Sequence, residues 1–162
     1  MKRSVLIVSA LAVMAFPALA QNASQIASAQ RGASCAGCNL FQADLSGKEL
    51  KGRNFSRARL RQADLSLGVF NRSVFSGADL RDVNAYGAVF SSANFAGANL
   101  TNANFVGTYL EGANFSGATL TGANFSGAEM DRARGLSQAR LDQACGDEAT
   151  RLPAGLRIPA CR

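Results

Sequence analysis

Residues Ala93 to Gly127 read ANFAG ANLTN ANFVG TYLEG ANFSG ATLTG ANFSG, seven blocks of five whose third residue is always Phe or Leu. The period holds in both directions. Every fifth residue from Leu40 to Met130 is Leu, Phe or Met, apart from Ala85. Two residues before most of them stands Ala, as in Ala43, Ala63, Ala78, Ala98, Ala113 and Ala123, with Asn or Asp commonly between. A period of five fits neither an amphipathic helix nor an alternating strand. It fits a coil with one bend per block: the large and the small residue both point inward, and the Ser-Gly or Thr-Gly pair that follows makes the bend.

Tandem Ala-Asp/Asn-Leu/Phe-x-x over roughly residues 38–132 resembles the pentapeptide-repeat family. The resemblance implies an all-β fold, a right-handed quadrilateral parallel β-helix with four blocks per coil, so that each face recurs every twenty residues. The sequence tests that register. Face one would hold Leu40, Leu60, Leu80, Leu100 and Leu120, and face four Phe55, Phe75, Phe95 and Phe115. Face two would hold Leu45, Leu65, Ala85, Phe105 and Phe125, and face three Leu50, Phe70, Phe90, Leu110 and Met130. Two columns of a single residue type point to stacking at a separation of twenty. Just under five coils at about 4.8 Å each give a solenoid roughly 23 Å long. Ala85 is small for its column, but its inward companion is Val83 rather than Ala, which conserves volume. Lys48 and Arg53 occupy small inward positions in the first coil and are expected to reach solvent, because sealing a charge is costly.

The flanks divide the chain further. Within residues 1–20, Lys2 and Arg3 precede an apolar run from Val5 to Phe16 and then Pro17 and Ala18-Leu19-Ala20, the pattern of a cleavable secretory signal. The apolar run is too short for a membrane span. Its removal would lower the formal charge from +6 to +4. An exported protein, periplasmic or secreted, with no transmembrane segment in its mature chain, is the expectation. Residues 21–37 read as a flexible segment and cap, 38–132 as the solenoid, and 133–162 as a C-terminal cap. Within that cap Ser137 stands as N-cap of a short helix from Gln138 to Cys145, stopped by Gly146. In an oxidising compartment Cys35, Cys38, Cys145 and Cys161 are expected as disulfides, Cys35 with Cys38 and Cys145 with Cys161, since the two pairs sit at opposite ends.

The chain contains no His, so Ser-His-Asp and Cys-His arrangements cannot be built, and the separated cysteine pairs cannot converge on zinc. No catalytic, cofactor or metal site is expected. Asp44, Asp64, Asn84, Asn104 and Asn124 form one outward column, which reads as a polar ladder. Two surface features remain. Lys51, Arg57, Arg59 and Arg61 form a candidate patch for an anionic component of the envelope, unless Asp79 and Asp82 neutralise it. Nucleic acid is not an expected ligand, because no aromatic residues interleave with these arginines. Leu67, Val69, Tyr86, Val89, Val106 and Tyr109 are outward positions that fall on one strip, along the edge between faces two and three. They form a candidate interface for a homodimer or a protein partner. The function expected is an exported non-enzymatic structural or binding scaffold. The resemblance offers an alternative, protection of topoisomerases by members whose acidic surface imitates DNA. This chain departs from those members in its positive charge, its export signal and its uninterrupted repeats.

Overall fold

Each block of five bends the backbone at the same place, and the bend accounts for the sequence pattern. The carbonyl of the central residue accepts a hydrogen bond from the N–H three residues on, as in Phe95 with Ala98 at 2.9 Å and Leu40 with Ala43 at 3.0 Å. The second residue after the centre takes a left-handed conformation, with φ of +66° at Gly97 and +68° at Gly117. Glycine adopts that conformation without strain, which explains its place at the end of the block. Just before each centre, the chain forms a parallel bridge to the residue one coil further, for example Asp79 with Asn99, Asn84 with Asn104 and Asn94 with Asn114.

The computed structural model describes residues 22–162, and the expected signal at residues 1–20 lies outside them. Within them the twenty-residue register is as read from the columns, giving four faces per coil. Asn and Asp at the bridge position serve two neighbours. Their Oδ1 accepts the N–H two residues on, as Asn124 does from Ser126 at 2.9 Å. The amide of Asn104 also donates to Asn84 at 3.1 Å, and that of Asn84 to Asp64 at 3.2 Å, so these bonds link the three central members of the expected ladder. An amide can both donate upward and accept locally, whereas a carboxylate can only accept, so Asp suits the end of the ladder.

Inside, the centres stack by face. Phe75, Phe95 and Phe115 lie ring over ring with centroids 5.3 Å apart, and Phe70 over Phe90 at 5.1 Å. Edge contacts join adjacent faces, as between Phe90 and Phe95 at 5.3 Å. Val83 and Ala85 are both buried. Lys48 and Arg53 are exposed, as their charge requires. The turn at Lys48 still closes, at 3.3 Å to the Leu45 carbonyl, whereas the turn at Arg53 is bonded differently. Among the described turns from Cys35 to Ala133, only the one at Leu50 lacks its direct carbonyl bond. The fully buried Ser73 replaces it: its hydroxyl donates to the Leu50 carbonyl at 2.6 Å and accepts from the Arg53 N–H at 3.1 Å.

The N-terminal segment is a helix, α1 (Ala23–Gln30), and not the flexible run expected. Asn22 caps it by accepting the Gln25 N–H at 3.2 Å. Ala29 is fully buried and Ile26 packs on the core, so the helix closes the open end of the barrel. Its glutamines take the place of a missing coil. Gln25 Oε1 accepts from the Asn39 N–H at 2.8 Å, and Gln30 Nε2 donates to the Asp44 carbonyl at 2.8 Å. The repeat also starts earlier than residue 38. Cys35 fills the central position of face four, with its N–H on the Asn54 carbonyl at 2.7 Å.

At the other end the helix is shorter than expected. α2 (Gln138–Leu141) makes a single turn, and Ser137 caps it through its backbone carbonyl rather than its hydroxyl. Asp142 ends it because the chain must return to the barrel wall. Cys145 bridges Asn124 and Arg151 bridges Glu129, extending faces two and three by a further partial coil beyond residue 132. Leu141 seals the core, and Arg140 Nη1 donates to the Phe115 carbonyl at 2.7 Å. Both disulfides join the expected partners, Cys35 with Cys38 and Cys145 with Cys161. Among the described residues no helix is long and apolar enough to cross a membrane.

Candidate functional site

The twenty-residue register places the six apolar residues on three consecutive coils. Leu67, Tyr86 and Val106 stand at the edge between faces two and three, and Val69, Val89 and Tyr109 on face three itself. Val69 bridges Val89, and Val89 bridges Tyr109. The three valines are half-buried by their neighbours. Leu67, Tyr86 and Tyr109 are 65%, 52% and 48% exposed, and they are the large hydrophobic side chains left exposed among the described residues. All three fall on this strip.

Leu67 is the unexpected member. It occupies the left-handed turn position, φ +56°, where the other occupants are Gly or a polar residue such as Gln62, Asp82 or Asn102. An aliphatic side chain there costs about 1–2 kcal/mol of backbone strain and gains little burial in return. Its Cδ2 leans over Gly87 in the next coil, 3.0 Å from where a β-carbon would stand. One coil further on, the corresponding space at Gly107 is open. The strip therefore has an exposed leucine at one end and a bare glycine turn toward the other.

Charge bounds the strip along face three. Glu49 lies before Val69 and pairs with Lys51, which holds the Glu49 carboxyl below the usual range by its hydrogen bond and charge. Glu129 lies after Tyr109 and is 3.8 Å from Arg151, which also binds Asp131 at 3.0 Å. On the neighbouring edge, Lys51, Asn71, Arg72, Ser91 and Ser92 line a shallow polar groove.

The basic residues do not form the single patch expected. Lys51 and Arg61 are ten residues apart, half a coil, so they stand on opposite edges of the barrel. Arg59 and Arg61 remain together on face one, beside Phe41, Asp79 and Arg81, while Arg57 lies at the edge between faces four and one, against Gly77. Arg61 pairs with Asp82 at 3.3 Å. Asp79 bridges Arg59 along the backbone but gives its carboxylate to Arg81, at 2.7 Å for both bonds. That hydrogen bond lowers the Asp79 pKa below the ordinary carboxylate range and raises that of Arg81. Among the described residues no cluster of three or more His, Cys, Asp or Glu could hold a metal ion.

Sequence reasoning found the strip from its outward register, but it missed the strain at Leu67 and the way its side chain leans over Gly87. The signal was available: position 67 is where the block otherwise places Gly or a polar residue.

The pentapeptide-repeat family model matches in 8 copies, over segments that together run from residue 33 to residue 145. No curated protein matches the chain. Among solved structures, HetL, a pentapeptide repeat protein involved in heterocyst differentiation regulation in the cyanobacterium Nostoc, is 31% identical. The match covers 70% of this chain and 57% of that one, with a TM-score of 0.43. This chain thus spans little more than half the length of HetL. A pentapeptide repeat protein of the Arabidopsis thaliana thylakoid lumen is 28% identical over 71% of this chain and 82% of its own, with a TM-score of 0.48. QnrB1, a plasmid-mediated fluoroquinolone resistance protein, is 20% identical over 78% and 79% of the two chains, with a TM-score of 0.32. Family match, five-residue period and parallel bridges agree on a β-helical solenoid, and the chain belongs to the pentapeptide-repeat family.

Proposed function

We propose that this protein is an exported, non-enzymatic scaffold that binds a protein partner through the apolar strip between faces two and three. The observation that carries the reading is the confinement of Leu67, Tyr86 and Tyr109, the exposed large hydrophobic residues among those described, to one strip, while outward apolar residues elsewhere, such as Phe41 and Val74, are half-buried and scattered. Exposed apolar residues scattered singly need no explanation, whereas a contiguous patch marks an interaction site. Two closed disulfides suit an oxidising compartment and support export. Outward carboxylates are engaged in turn hydrogen bonds and surface ion pairs, such as Asp44 with Ser46 and Asp82 with Arg61, which supports a non-enzymatic role. An imitation of DNA would require a continuous acidic face. No outward column is acidic throughout, and the one that begins with Asp44 and Asp64 gives way to Asn84, Asn104 and Asn124, so the topoisomerase-protecting alternative has little support.

The test is recovery of cross-linked partners from an envelope fraction by wild type, by Tyr86→Ser with Tyr109→Ser, and by Ser76→Ala on the diagonal edge. The reading expects the double variant to lose a specific partner or self-association with an unchanged melting temperature, and Ser76→Ala to behave as wild type. Equal recovery by all three overturns it.

A further inference from the structure

We infer that the occupant of the strip is a second copy of this chain, docked face to face and antiparallel, with a two-fold axis at the coil of Tyr86 and Val89. The inference rests on the reading of the strip as the working face. A two-fold interface must be complementary to itself. With the solenoid axes antiparallel, the coil of Leu67 and Val69 faces the partner's coil of Val106 and Tyr109, while Tyr86 and Val89 face their own copies. The exposed Leu67 of each copy then stands against the bare Gly107 turn of the other, where no side chain lies within 4 Å of the missing β-carbon to block its approach. A strained, exposed leucine and a bare glycine one coil either side of the axis are a self-complementary pair.

The charges run the same way. Toward the N-terminal end of face three, Glu49, Lys51 and Arg72 sum to +1. Toward the C-terminal end, Glu111 with Arg132, and Glu129 and Asp131 with Arg151, sum to −1. Antiparallel docking sets the positive end of each copy against the negative end of the other. A parallel two-fold would instead set Leu67 against Asn71 and Arg72, burying apolar surface on polar groups. The contact is one face of a narrow barrel, smaller than the roughly 800 Å² per partner of a standard interface, so the dimer is weak and concentration-dependent.

The experiment uses the oxidised protein in sedimentation velocity from about 10 µM to about 1 mM, with cysteine variants treated with a short thiol-specific cross-linker. Wild type is expected to shift from monomer toward dimer. Leu67→Ser with Tyr109→Ser is expected to raise the midpoint at least about tenfold, a loss of about 1.4 kcal/mol, without altering thermal unfolding. Tyr86→Cys is expected to cross-link with itself, and Leu67→Cys only when mixed with Val106→Cys. A wild type that stays monomeric, or a Leu67→Cys that links to Asn71→Cys instead, overturns the inference. The failures are distinguishable. A monomer whose Tyr86→Ser and Tyr109→Ser variant still loses a cross-linked envelope partner refutes the second copy and leaves the scaffold standing, whereas loss of neither refutes both.

Discussion

Replacing Ser73 by Ala tests how this fold keeps a cation out of its core. The Leu50 carbonyl lies in the one described turn without its own closing bond, and the Ser73 hydroxyl reaches it from the next coil at 2.6 Å while accepting the Arg53 N–H at 3.1 Å. Removing the hydroxyl orphans both groups. The carbonyl side is buried and gains no water, so its loss alone is worth about 1–3 kcal/mol, and the partly exposed N–H adds less. We expect Ser73→Ala to cost about 2 kcal/mol. The partner change is Arg53→Ala, which lets a small side chain turn inward as at Ala58 or Ala78 and allows the 50–53 turn to close on itself. In that background the hydroxyl is surplus, and Ser73→Ala should cost about 0.5 kcal/mol or less. Urea denaturation of the four proteins, disulfides intact, gives the coupling energy directly, expected near 1.5 kcal/mol. A Ser73→Ala cost equal in the two backgrounds would refute the reasoning, because the hydroxyl would then be stabilising something other than the opened turn.

Phe95→Ala should cost about 3–5 kcal/mol in the same assay, toward the upper figure because four rings surround it, with Phe75 and Phe115 stacked at 5.3 Å and Phe90 and Phe105 edge-on; a loss below about 2 kcal/mol would mean the stack collapses around the cavity. Asp147 accepts the Gly127 N–H at 2.8 Å and also bonds Thr150, and these bonds hold its carboxyl below the ordinary range. A depressed folded pKa contributes stability above the unfolded carboxylate value near 3.9, lost as pH falls through the folded value. The difference in melting temperature between wild type and Asp147→Asn should therefore narrow as pH is lowered from about 5 to about 2; a constant difference would show that Asp147 acts only through its shape.

The barrel was legible because its chemistry is periodic. Leu40 to Leu120 and Phe55 to Phe115 identify their own neighbours, and the exposure of Lys48 and Arg53 followed from the cost of burying charge. The ends were not legible, because their solutions are particular. The segment of Ala, Ser and Gln that forms α1 carries little amphipathic signal and is ordered instead by Gln25 and Gln30 reaching two edge groups of the first coil. The tail rejoins faces two and three with offsets of 21 and 22 residues, which no fixed period reveals. The strip was read correctly as a line of outward positions. Its relief, with Leu67 leaning over Gly87 and the turn at Gly107 left bare, depends on which way a side chain leans.

The register of twenty makes the outer surface a phased object. Excising one whole coil, such as residues 88–107, would rejoin like with like and shorten the barrel without disturbing the pattern on any face. Excising a single block of five would also preserve the alternation of large and small side chains inside, yet every residue beyond the cut would turn by a quarter of the circumference. Cut between Val89 and Tyr109, the chain would carry Tyr109 onto face two while Val69 and Val89 stayed on face three. For this architecture the core constrains length only to multiples of five, whereas a binding surface that crosses coils constrains it to multiples of twenty.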